Sequence, residues 1–251
     1  DNGEMAVDQL IEDDDDYYYV NEAGAMVSNQ WVAIENEDAG EDGEPDVYWY
    51  YFQANGKAYK RSENADPEAI AAKTINGKKY SFDTEGRMLF GWVGNDGERL
   101  TDDDAWQEAD YYFGDENDGA MAQEWALLTI VDDDDYESLQ PGDEFWDEEQ
   151  ERYFYFLPSG KKVKAGDKEI AKDGDEAIKT RSIEGRRYGF DRYGRMIGNW
   201  YSVEATNSEA SQGDATYSKS FMYFSSPEDG ARVTDDWFRV VPGYYLDQDK
   251  Y

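Results

Sequence analysis

The side chains best equipped for chemistry in this chain of 251 residues are its rings, 21 Tyr, 11 Phe and 8 Trp. They fall in strand-length clusters such as Tyr17-Tyr18-Tyr19, Tyr48-Trp49-Tyr50-Tyr51-Phe52, Tyr111-Tyr112-Phe113 and Tyr153-Phe154-Tyr155-Phe156. Several electron-rich ring faces around a desolvated quaternary ammonium attract it by about 0.5–2 kcal/mol per contact. Flat Trp and Tyr faces also stack on the apolar C–H faces of sugars. The same rings serve equally as a core in a thin fold that has little else to bury.

Carboxylates are the second resource, with 59 Asp and Glu against 24 Lys and Arg and a net charge of −35. The runs at Asp13 to Asp16, Asp102 to Asp104 and Asp132 to Asp135 offer oxygen ligands of the calcium type. EF-hand spacing is absent, so they read as solvated loops, and no metal or cofactor is expected. With no His and no Cys, the common nucleophile–base pairs are unavailable. No Asp-Thr-Gly or Asp-Ser-Gly motif occurs, and no glycosidase pair stands out among so many acids. The chain reads as non-catalytic.

Its charge disfavours nucleic acid and anionic membranes as partners. No apolar run of about 18 residues is present, no signal peptide is visible, and Asp1 reads as a mature or trimmed start.

The elements that position the rings are repeats. Lys73 to Val93 reads as a three-stranded meander, with Asn76-Gly77 favouring a type I′ turn and Gly86 serving the second turn. Arg87 to Trp92 returns as its third strand. The pattern recurs from Arg181 to Trp200. Elsewhere an aromatic strand, a Gly turn and a strand closing on Trp follow one another. Seven hairpins result, around Gly24, Gly56, Gly86, Gly119, Gly160, Gly194 and Gly230.

Their types run A, B, C, A, B, C, A: Gly-Ala-Met…Trp, Gly-Lys, and Gly-Arg-Met…Trp. A superperiod of about a hundred residues implies three hairpins per superhelical turn. The expected fold is an all-β, elongated solenoid of hairpins with short helical turns, one at Asp66 to Ala72, and acidic inserted loops. Residues 1–16 read as a frayed acidic lead-in, 17–240 as a single array and 241–251 as a tail. Stability is expected to be near-additive, each hairpin touching mainly its neighbours.

Tyr-Tyr-Phe…Gly-Ala-Met…Trp and Tyr-Ser-Phe-Asp-Thr-Glu-Gly-Arg-Met-Leu-Phe-Gly-Trp resemble the cell wall-binding repeats, also called choline-binding or glucan-binding repeats, of secreted Gram-positive proteins. The resemblance covers all seven hairpins and is strongest at 73–93, 110–125 and 181–200. It implies ligand sites of Trp and Tyr between consecutive hairpins. Carried over, these are Trp31 with Trp49 and Tyr50, Trp92 with Tyr111 and Tyr112, and Trp125 with Tyr153 and Tyr155; Trp200 and Trp237 stand at the matching hairpin ends.

This chain departs from the family in two ways. Its turn glycines lie 30 to 41 residues apart, wider than the close-packed family repeat, and its type B hairpins lack the closing Trp. The loops from Glu35 to Asp46 and Gly94 to Ala109 separate a closing Trp from the next aromatic strand, so choline binding is expected to be weak or absent and a neutral glycan preferred.

The implied function is a non-catalytic, secreted module that binds cell wall polysaccharide, teichoic acid choline or a glucan and holds its owner at the bacterial surface. A structural or adhesive spacer presenting acidic loops to a protein partner is the alternative. A hydrolase with an unrecognised carboxylate pair is a more distant third.

Overall fold

The structure, a computed structural model, describes residues 3–41, 43–66, 69–131, 149–174, 177–202 and 221–235. It divides into two compact units, one of residues 1–105 and 109–122, the other of 106–108 and 123–251. The first holds β1 (Gln9–Asp13), β2 (Asp16–Val20), β3 (Gln30–Glu35), β4 (Val47–Phe52), β5 (Lys73–Ile75), β6 (Lys78–Tyr80), β7 (Gly91–Val93), β8 (Arg99–Leu100), β9 (Tyr111–Asp115) and β10 (Asp118–Met121). Helix α1 (Ala105–Glu108) precedes β9. The second holds β11 (Glu124–Val131), β12 (Glu149–Phe156), α2 (Asp167–Asp173), β13 (Lys179–Ile183), β14 (Arg186–Phe190), β15 (Asn199–Ser202) and β16 (Phe221–Phe224).

Every ladder among the described residues is antiparallel, and the chain is built from β-hairpins as the sequence implies. The pairing, however, is offset from the expected one. Each aromatic strand forms its ladder with the strand before it, across the acidic loop: β3 with β4, β7 with β9, β11 with β12, β15 with β16. Across the turns at Gly24, Gly56, Gly86, Gly160, Gly194 and Gly230 only single bridges form, at Val20–Met26, Phe52–Ala58, Phe82–Met88, Phe156–Lys162, Phe190–Met196 and Phe224–Arg232, whereas β9 and β10 pair as a short ladder at the hairpin of Gly119.

The reason lies in where the backbone donors go. Past four of the glycines the next but one N–H turns to the preceding hairpin: Ala58 to Tyr17 O (2.8 Å), Met88 to Trp49 O (2.8 Å), Met196 to Tyr153 O (2.8 Å) and Arg232 to Arg187 O (2.7 Å). These bonds leave the sheet and join one repeat to the last. Acidic loops therefore sit inside hairpins rather than between them. The third strand expected from Arg87 to Trp92 divides accordingly into a bridge at Met88 and strand β7.

The methionine of the motif has a matching role. Met26 lies against Gly56, Met88 against Gly119 and Met196 against Gly230, where a Cβ would stand within 3 Å of the sulfur in each case. The inward rings at the strand ends, Phe52, Phe113, Phe156, Phe190 and Phe224, are wholly buried. Four clusters of buried residues around such rings replace one large core.

Tight turns close the short hairpins. Asn76 and Gly77 (φ 50° and 85°) take the expected type I′ form, and Glu184 with Gly185 repeats it (49°, 81°). Asp14 and Asp15 do the same (51°, 65°) and join β1 to β2, so Gln9 to Asp13 is strand where a frayed lead-in is expected. Two members of that acidic run are ion-paired, Asp15 to Lys60 at 2.9 Å and Asp16 to Lys57.

Gly119 is a second correction. It lies within β10 without a positive φ, and the turn falls at Glu116-Asn117. Of the expected helical turn, Pro67 and Glu68 lie outside the described residues and their neighbours are not helical. Among the described residues the helices are α1 and α2, the latter opened by Gly166, whose N–H donates to the Glu169 carboxylate at 3.2 Å.

Candidate ligand site: two aromatic nests

Strand alternation decides which rings meet. In β4, Trp49 and Tyr51 face one side and Tyr50 and Phe52 the other. Trp31 stands directly across from Tyr51 in the β3–β4 register, and their rings meet edge to face at 5.2 Å and 70°. The following hairpin adds Tyr80 at 4.9 Å from the Trp31 ring and Phe82, stacked at 5.8 Å and 27°. Tyr59 stacks on Tyr51 at 5.7 Å and 14°. Trp49 packs against the same buried cluster of Ile75, Tyr80, Phe82 and Met88.

The second unit repeats this arrangement. Trp125 stands across from Tyr155 in the β11–β12 register. Its ring lies 5.1 Å from Tyr155, 4.8 Å from Tyr188 and 5.8 Å from Phe190. Tyr153 is farther off, at 6.4 Å and 87°. The distances to Tyr155, Tyr188 and Phe190 match those from Trp31 to Tyr51, Tyr80 and Phe82 to 0.1 Å. Trp31, Tyr51, Tyr59, Trp125 and Tyr155 are half-buried, whereas Phe82 and Phe190 are buried.

A smaller version of the same pairing occurs in the first unit, where Trp92 opposes Tyr112 with ring centres 4.9 Å apart at 63°. Trp200 opposes Tyr223 in the β15–β16 register, and Trp237 lies outside the described residues. Two of the expected site residues belong elsewhere. Tyr50 stacks on Phe52 within the cluster of Val27 and Ala58, and Tyr111 packs with Phe113, Leu89 and Val93. Both are one residue off the Trp-facing side of their strands.

The sequence reading set Trp49 and Tyr50 beside Trp31 and left out Tyr51, Tyr59, Tyr80, Phe82, Tyr188 and Phe190. The signal was present in Tyr80-Ser-Phe82 and Tyr188-Gly-Phe190, whose alternation sends both rings to one face.

Each nest carries a cation. Lys73, opposite Tyr80 in register, holds Nζ 5.6 Å from the Tyr59 ring centre. Arg181, opposite Tyr188, holds its guanidinium 5.8 Å from the Tyr155 ring centre. Burial, and then the charge of Asp118, push the Tyr80 hydroxyl up, while Lys78 meets Asp118 at 2.5 Å. Burial pushes Tyr112 up likewise. The rings and the Lys73 ammonium offer stacking faces and hydrogen-bond donors, the chemistry of sugar recognition.

The acidic loop after β3 is held by its own contacts. Asn36 Nδ2 donates to Pro45 O at 2.9 Å, Tyr48 donates to the Glu44 carboxylate, and Arg99 donates to Gly43 O at 2.9 Å. Trp31 and Tyr51 pair although this loop separates them in sequence. Among the described residues no three acids gather as a metal site, and the run from Asp132 to Asp135 lies outside them.

No family model matches the chain, and no curated protein sequence matches it. Solved structures similar to it include the choline-binding domain of CbpL from Streptococcus pneumoniae, 18% identical with a TM-score of 0.42, over 91% of this chain and 79% of that one. The modular autolysin LytC from the same organism is 17% identical with a TM-score of 0.39, over 95% of this chain. The chain spans 40% of the length of that autolysin. An alternansucrase in complex with isomaltotriose is 19% identical with a TM-score of 0.35, over 62% of this chain and 10% of that one.

Proposed function

We propose that the chain is a non-catalytic, extracellular module that binds cell wall polysaccharide or a glucan and holds its owner at the bacterial surface. The observation that carries this reading is the division of labour among the rings. Phe82 and Phe190 are buried at the floor of the nests with Tyr80 and Tyr188, while Trp31, Tyr51, Tyr59, Trp125 and Tyr155 stay half-buried, with Trp31 and Trp125 in one repeated geometry. A ring kept only for packing gains most by full burial; a ring that receives a sugar must keep part of its surface at the solvent.

The repeat motif points the same way, through its resemblance to the cell wall-binding repeats. The net charge of −35 favours neutral or cationic wall components over anionic ones. Pull-down on purified Gram-positive walls and on an α-glucan tests the reading. Retention lost in Trp31→Ala and Trp125→Ala supports it; a chain that passes through both resins refutes it.

A further inference from the structure

We propose that Lys73 and Arg181 set the specificity of the two nests: each supplies a ring cluster with its own cation, so that the nests refuse quaternary ammonium ligands and take neutral saccharides. The inference rests on the binding function proposed above and names its ligand class.

The two residues are equivalents. Lys73 pairs with Tyr80 in the β5–β6 ladder and Arg181 with Tyr188 in the β13–β14 ladder. Their charged groups lie 5.6 and 5.8 Å from the ring centres of Tyr59 and Tyr155, inside the range of cation–π attraction. Lysine and arginine differ in shape, so the shared property at this position is the positive charge.

Their surroundings differ from those of the ion-paired cations. In a chain with 59 acids and 24 bases, cations have carboxylates to choose from. Lys57, Lys60, Lys78, Lys179, Arg186 and Arg195 each meet one. Lys73 and Arg181 meet none among the described residues and lie on tyrosine rings in both units.

A ring face attracts one cation. A second, brought within about 6 Å of the same ring, is repelled by the first, and more strongly where water is partly excluded. The overall negative field draws cations toward the protein, so the refusal has to be local, and these two side chains provide it. Ammonium and guanidinium are pure donors, suited to the hydroxyl oxygens of a sugar stacked on the neighbouring rings.

Calorimetry with choline tests the assignment on the full chain, its Lys73→Ala and Arg181→Ala variants, and the double variant. Lys73→Thr and Arg181→Thr, smaller but favourable in strands, repeat the measurement should alanine disturb the fold, which near-UV circular dichroism reports. Each single variant is expected to bind choline about threefold to tenfold more tightly than the unaltered chain, and the double variant at two sites. Saturable choline binding by the unaltered chain that no variant tightens overturns the proposal, and so does an absence of gain in every folded variant. Failure of the broader function reads out separately, as an unaltered chain that retains neither walls nor α-glucan whatever the choline titrations give.

Discussion

Met88 lies on Gly119: a Cβ added to the glycine would meet Met88 Sδ and Cε at 2.9 Å and Leu89 O at 2.4 Å. The glycine has no positive φ, so its requirement is room for the preceding repeat rather than backbone freedom. Gly119→Ala is expected to destabilise the protein by about 1–3 kcal/mol through overpacking. Gly77→Ala, at φ 85° with open space around it, serves as the comparison and loses about 1–2 kcal/mol to left-handed strain. Urea unfolding of both variants checks the values. Hydrogen exchange should place the Gly119 damage at two adjoining repeats and the Gly77 damage at one hairpin.

Two tryptophans differ in how their indole N–H is met. Trp106, wholly buried in the second unit, donates to Val131 O at 2.8 Å and packs edge-on against Tyr193 at 5.5 Å. The buried Nε1 of Trp49 has no acceptor among the described residues. Trp106→Phe should therefore cost about 1–3 kcal/mol by stranding a carbonyl. Trp49→Phe removes an unsatisfied donor and should cost under about 1 kcal/mol. A larger loss at Trp49 in thermal unfolding would show that its donor has a partner in solution.

Burial pushes the Asp83 carboxyl up to about 6, against the opposing pull of hydrogen bonds from the Arg87 and Gly86 N–H groups and the Arg87 charge. An ordinary aspartate titrates near pH 3.9. The folded chain thus holds a proton that the unfolded one releases, and its stabilisation by that proton is lost as pH rises from about 4 to 6. Asp83→Asn keeps a side-chain oxygen for the Glu85 and Arg87 amides, which meet Asp83 Oδ1 at 2.9 and 2.8 Å. The variant should gain on the wild type by about 1–2 kcal/mol between pH 4 and pH 7. Paired thermal melts across that window test it, and parallel curves would contradict the raised pKa.

A net charge of −35 opposes compaction and is screened over about 8 Å at physiological ionic strength. The unfolding temperature should rise from low to physiological NaCl. A flat response would mean that bound cations already neutralise the surface.

Much of the fold was legible because the repeat is written in few residue types. Asn76-Gly77 announced its turn, and the recurring meander announced hairpins. The pairing partner was harder to read. Trp31 is closer in sequence to Tyr19 than to Tyr51, yet its ladder partner is Tyr51; across Gly24 the pairing ends after the Val20–Met26 bridge and the Val27 N–H bond to Tyr19 O. That early ending has no local signature.

The nests were half legible for a similar reason. The tryptophans stood out, but Tyr50 and Tyr51 are adjacent, and only the register of β3 against β4 decides which of them meets Trp31. Lys73 and Arg181 carry no mark of their own in the sequence. Their significance depends on facing tyrosines and lacking acids nearby.

The position of the acidic loops at hairpin tips separates two properties that most proteins keep entangled. Asn36 N–H meets Asp46 O at 3.0 Å, so the ends of that loop are clasped by the ladder below it, whatever lies between them. Lengthening such a segment adds closure entropy that grows only with the logarithm of its length, about 0.6 kcal/mol per doubling. Foreign peptides grafted between Asn36 and Asp46 would therefore be tolerated while the Trp31–Tyr51 pair keeps its register. The chain is in this sense a display scaffold, with a fixed frame and tips free to diversify.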